Sequence, residues 1–100
     1  MLIVREVFTA KPGQASKLAR LFKAMSVGDT KTRVMTDLIG NYNTVVMEME
    51  IKNLAEFEKK MEEYRSKKPD PKMDPKVMEE MSKYTEMYLT GKREIFQIVE

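Results

Sequence analysis

The chain has 100 residues, 42% of them apolar and 34% charged, with 18 basic against 16 acidic side chains and a formal net charge of +2. That length predicts one domain, residues 1–100, with a modest core, and the apolar fraction argues against wholesale disorder. There is no Cys and no His, which removes disulfides, thiolate nucleophiles and the commonest general base and metal ligand.

Acids and bases are mixed along most of the chain, so no nucleic-acid partner is expected. No apolar run approaches the roughly 20 residues that span a bilayer, and no membrane partner is expected. The opening "MLIVREVF" lacks a basic region followed by a hydrophobic segment and cleavage site, so the expected location is the cytoplasm. The 10 Met residues read as core and interface fillers, since thioethers adapt to irregular gaps.

In chain order, Leu2–Thr9 is rich in Leu, Ile, Val and Phe and reads as a first strand, apolar on both faces. Lys11-Pro12-Gly13 breaks it. From Gln14 to about Met25, Ala15, Leu18, Ala19, Phe22 and Met25 recur at helical spacing, with Leu21 flanking the stripe. Gly28 is the expected breaker at its end. Arg33–Ile39 reads as the second strand, with Arg33, Met35, Asp37 and Ile39 on one side. Thr44–Ile51 reads as the third. There Val45, Met47, Met49 and Ile51 share one face, and Val46, Glu48 and Glu50 the other. Gly40–Asn43 supplies turn-tolerant residues, so these two strands form an antiparallel hairpin.

Asn53 with Glu56 three residues on has capping-box spacing, and Leu54, Phe57, Met61 and Tyr64 form the stripe of a second helix. Ser66–Lys72 reads as a polar loop. Asp74-Pro75 predicts a third helix running to about Thr90, with Val77, Met78, Met81, Tyr84, Thr85 and Tyr88 as its stripe. Arg93–Val99 reads as the last strand. The order β-α-β-β-α-(α)-β is the α+β, ferredoxin-like pattern with an antiparallel four-stranded sheet. Its helices cover one sheet face, so a homodimer through the open face is expected.

Two stretches, "IVREVFTAKPGQASKLARLFK" and "VMTDLIGNYNTVVMEMEIKNLAEFEKKMEEY", resemble the dimeric α/β-barrel superfamily. The resemblance is to its small NIPSNAP-like and antibiotic-biosynthesis-monooxygenase-like members and covers nearly the whole chain. It implies a subunit whose sheet packs on its twin, with a cavity between sheet and helices. That superfamily includes cofactor-free oxygenases of quinols and polyketides, haem enzymes, small isomerases and proteins without known activity. Haem enzymes of this type that bind iron through His have no counterpart residue here, and no cofactor is expected.

The sharpest polar set is Arg33, Asp37, Glu48 and Glu50 on the hairpin. Read catalytically, Glu48 or Asp37 is a base whose pKa burial has raised, and Arg33 or Arg5 holds a substrate anion. Read structurally, the same residues are a cross-strand ion-pair ladder on a wet face or an interface. Arg5 and Glu6 lie on opposite faces of the first strand, so one of them joins the set. Arg5, Tyr42, Asn43, Glu50, Tyr84 and Tyr88 are the candidate contacts for a small hydrophobic ligand. Lys67, Lys68, Lys72 and Lys76, interrupted by Asp70 and Asp74, read as a solvated loop. Nothing has EF-hand spacing, no Ser has a His partner, and Pro12-Gly13 is no phosphate loop, so no metal site is expected. Two readings remain: a homodimeric small-ligand-binding or structural module, and a cofactor-free monooxygenase or isomerase acting on a small hydrophobic oxygenated ring compound.

Overall fold

The computed structural model describes residues 1–26, 31–65 and 75–100. The expected breaker Gly28, the expected Ser66–Lys72 loop with Lys67, Lys68, Asp70 and Lys72, and the expected cap Asp74 lie outside the described residues, as do the side chains of Tyr64 and Val77. The elements are β1 (Leu2–Ala10), α1 (Ala15–Met25), β2 (Thr32–Thr36), β3 (Thr44–Ile51), α2 (Leu54–Arg65), α3 (Pro75–Met81), a 3₁₀ turn (Tyr84–Glu86) and β4 (Tyr88–Gln97). The strands form one antiparallel sheet in the order β2-β3-β1-β4. This is the expected ferredoxin-like topology.

Strand alternation sorts the side chains cleanly. Val4, Glu6, Phe8 and Ala10 of β1 are buried on the helix side, as are Val45 and Ile51 of β3. Leu18, Leu21 and Phe22 of α1 cluster with Phe8, Ala10 and Val45, so Leu21 belongs to the buried stripe. Phe8 anchors this core, its ring centroid 5.0 Å from Phe22 and 4.8 Å from Tyr88. Ala15, Ala19, Met25, Met81 and Tyr84 pack around it. The core therefore sits under α1. Helix α2 has the expected cap, with Glu56 N donating to Asn53 Oδ1 at 2.9 Å. The Glu56 carboxylate reaches back to Lys52 N at 2.8 Å. Yet none of α2 from Leu54 to Glu63 is buried, and Leu54, expected in its stripe, is exposed.

Three expected boundaries move. Strand β2 stops at Thr36 and does not reach Ile39. Asp37 Oδ1 accepts from Thr44 N at 3.0 Å, so a side chain closes the hairpin neck where a further ladder bond would stand. Leu38 and Ile39 are left 98% and 95% exposed in the connection. Its left-handed residues are Tyr42 (φ 64°) and Asn43 (φ 58°). The expected helix from Pro75 to Thr90 ends at Met81. Residues from Tyr88 onward instead pair with β1, up to Ala10 opposite Tyr88. Strand β1 is long, and its backbone groups as far as Ala10 need partners that a helix there would deny them. Gly91 thus lies inside a strand, where a Cβ would come within 3.1 Å of the Phe8 ring. The last strand ends at Gln97, leaving Val99 exposed.

Candidate functional site

The open face, away from the helices, carries Ile3, Arg5, Val7 and Thr9 of β1 and Val46, Glu48 and Glu50 of β3. Pairing places Arg33 directly opposite Glu48, and Glu48 opposite Arg5. Glu48 is the hub. Its Oε2 accepts from Arg5 Nε at 3.2 Å and Nη2 at 3.0 Å, and its Oε1 accepts from Arg33 Nη2. The guanidinium of Arg5 also stands 5.6 Å from the Phe96 ring centroid. Hydrogen bonding from Arg33 holds the Glu48 carboxyl below its usual range, outweighing the opposing effect of burial, with Arg5 adding to it. A carboxylate so held is a weaker base than an ordinary one. That is the opposite of the shift a catalytic base near neutral pH needs.

The other sequence candidates separate from this hub. Asp37 is spent on the hairpin neck. Tyr42 is exposed and Asn43 half-buried at the loop end, where Asn43 O accepts from Ala10 N at 2.7 Å. Glu50 is half-buried on the open face, opposite Ile3. Tyr84 and Tyr88 lie on the helix side of the sheet, their rings 5.7 Å apart. Tyr88 opens β4 and does not sit on a helical stripe. Burial pushes its phenol above the usual value, reinforced by Tyr84 and by the charge of Glu6. It is therefore a protonated hydrogen-bonding group at neutral pH.

A second polar pair lies on the helix side, and sequence reasoning misses it. Glu6, 8% exposed, sits opposite Arg93 of β4, whose Nε donates to its Oε1. The Arg93 guanidinium stands 5.4 Å from the Phe57 ring centroid under α2. The signal for Glu6 is present: it falls between Val4 and Phe8 on the face that must be buried, and a charge there demands a partner. Its partner depends on the β1–β4 register, which no local pattern reveals. Glu6, Arg93 and Phe57 thus combine charge, hydrogen bonding and ring surface beneath α2, while Tyr84 and Tyr88 pack on the Phe8–Phe22 core under α1. No helix of the described residues is long and apolar enough to cross a membrane. Among them no cluster of three acidic side chains is placed to hold a metal ion.

The fold defines a ferredoxin-like α+β chain. Among solved structures it is similar to an uncharacterised NIPSNAP domain protein from Burkholderia xenovorans, with 12% identity, 99% of this chain and 95% of that one covered, and a TM-score of 0.71. A NIPSNAP family protein from Agrobacterium tumefaciens matches at 8% identity over 99% of this chain and 86% of its own, with a TM-score of 0.76. A putative antibiotic biosynthesis monooxygenase from Deinococcus radiodurans matches at 14% identity over 100% and 94%, with a TM-score of 0.66. The chain thus shares its fold with NIPSNAP-like and antibiotic-biosynthesis-monooxygenase-like proteins. No protein-family model matches it, and no curated protein matches it by sequence.

Proposed function

We propose that this chain is a homodimeric small-ligand-binding module. Two copies meet through the open sheet face, and the ligand enters between the sheet and α2, beside Glu6 and Arg93. The observation that carries this reading is the two-sided sheet. Ile3, Val7, Val46, Met35 and Phe96 stand around the Arg33–Glu48–Arg5 hub on a face that no helix of the described residues covers, while the Glu6–Arg93 pair stands on the face that α2 covers. Apolar side chains on an open face favour a partner of matching shape. A half-exposed guanidinium over a ring, backed by a buried carboxylate, suits a small ring compound bearing an acidic oxygen.

Binding is favoured over cofactor-free oxygenation or isomerisation, because Glu48 is stabilised as an anion by two guanidiniums and faces away from α2. The test uses isothermal titration with hydroquinone and 2-hydroxybenzoate as probes, on wild type and Arg93→Met. Binding that weakens at least about tenfold in the variant is expected, as for loss of a charge-assisted hydrogen bond. Binding unchanged by Arg93→Met, or absent for both probes, contradicts the assigned ligand site. Oxygen uptake with hydroquinone, lost in Glu48→Gln, would return the catalytic reading.

A further inference from the structure

Helix α2 is built unlike α1. Most of the stretch Leu54–Glu63 is charged, and its inner side is Phe57 and Met61, one turn apart and each half-buried. A helix of 12 residues is marginal in water by itself, so its place on the sheet rests on the contacts it makes.

The first of these contacts lie at its start. The chain leaves β3 at Ile51, 1% exposed, and reaches Leu54 through Lys52 and Asn53, both exposed. The capping box ties the first turn back onto these two residues, and Phe57 N donates to Asn53 O at 3.3 Å. Rotation at Lys52–Asn53 therefore carries the helix as one body. The next contact is the Phe57 ring, whose centroid stands 5.4 Å from the Arg93 guanidinium. Arg93 serves two partners, since its Nε donates to Glu6 while its face meets Phe57. With α2 in place the Glu6 side chain is 11% exposed and that of Arg93 49%. Lifting α2 returns this pair to water. Rehydration of the charges offsets part of the cost of exposing Phe57 and Met61, so opening is cheaper here than over an apolar floor.

We propose that α2 is a lid over the Glu6–Arg93 site, hinged at Lys52–Asn53 and latched by the Phe57 ring on the Arg93 guanidinium. This rests on the ligand site assigned above and adds how that site opens. A ring compound that stacks on the guanidinium takes the face that Phe57 occupies, so release of the latch and entry of the ligand are one event. The population with the latch open then sets how readily the ligand enters.

Hydrogen exchange of the free protein tests the latch without any ligand. Amides of α2 are expected to exchange faster than those of β1, and equal protection overturns the lid. Phe57→Leu keeps an apolar side chain and removes the ring. It is expected to speed α2 exchange at least about threefold relative to β1, the size of a partly exposed cation–π contact. Phe57→Tyr keeps the ring and is expected to exchange as wild type does. Arg93→Met is expected to match Phe57→Leu, and adding Phe57→Leu to it is expected to change exchange by less than about twofold, because the contact is already gone. Unchanged exchange in Phe57→Leu, or fully additive effects in the double variant, overturns the latch. Stopped-flow mixing with 2-hydroxybenzoate, followed by its own fluorescence, tests the gate. Entry at least about threefold faster in Phe57→Leu than in wild type is expected, and an unchanged entry rate overturns the gate. Failure of 2-hydroxybenzoate to bind wild type overturns the ligand site and the gate together, while the exchange result still decides whether Phe57 latches α2.

Discussion

Glu48 shows how one carboxylate is assigned a role by its neighbours. Two guanidiniums hold it charged, so its folded pKa lies below the unfolded value of about 4.3. The stabilisation is present above that value and is lost as pH falls through the folded pKa. Glu48→Gln is expected to cost about 1–2 kcal/mol at pH 7, since both arginines reach water. It is also expected to flatten the loss of stability below pH 4. Urea titrations at pH 7 and across the acid range measure both effects, and an unchanged acid limb contradicts the assignment. Tyr88 works in the opposite pH direction. Its raised pKa favours the folded state below the unfolded value, near 10, and that contribution fades as pH rises through the folded pKa. Gly91 is the other informative residue. A methyl group there meets the Phe8 ring, which Phe22 and Tyr88 already fix. Gly91→Ala is expected to cost about 1–3 kcal/mol through overpacking, read as a lower urea midpoint with an unchanged slope. A variant as stable as wild type would show that the ring yields freely.

The elements differ in how firmly they are held. Helix α1 buries Leu18, Leu21 and Phe22, whereas the Leu54–Glu63 part of α2 leaves even Phe57 and Met61 only half-buried and leans on its cap. Amide exchange in α2 is expected to be faster than in α1, as sparse apolar contact lowers the cost of local opening. Equal protection of the two helices would contradict this. Asn53→Ala is expected to remove about 1 kcal/mol of helix stability and to speed exchange in α2. Leu54→Ser is expected to change stability by less than about 0.5 kcal/mol. The same elements show what the sequence makes legible. The two-residue period of Thr44–Ile51 places β3 and both its faces correctly, and the Asn53–Glu56 spacing places the cap. The stripe through Tyr84 and Tyr88 misleads, because aromatic side chains four apart also satisfy a 3₁₀ turn followed by a strand start. The end of α3 is set by β1's need for an edge partner, a demand from the far end of the chain. Arg33 and Glu48 are paired by parity within a local hairpin. Glu6 and Arg93 meet across 87 residues, and that meeting waits on the sheet register.

At the scale of the molecule, the sheet is a two-faced object with helices on one face. The helix side holds the aromatic core under α1 and the Glu6–Arg93 pair under α2. The other side combines apolar groups with the Arg33–Glu48–Arg5 hub, and it is the surface assigned to the second copy in the proposed homodimer. A homodimer stabilised in this way gains stability with protein concentration, because association draws on the folded state alone. Charged substitution at Val46, in the apolar row of that face, is expected to separate the subunits while leaving the fold intact. Circular dichroism beside a sizing measurement checks this, and a Val46→Lys protein that stays dimeric would move the interface elsewhere. The most direct measurement is sedimentation velocity of the wild-type chain at micromolar concentration. The expected result is one species at twice the 11.7 kDa chain mass, and a single species at 11.7 kDa would contradict the pairing of open faces.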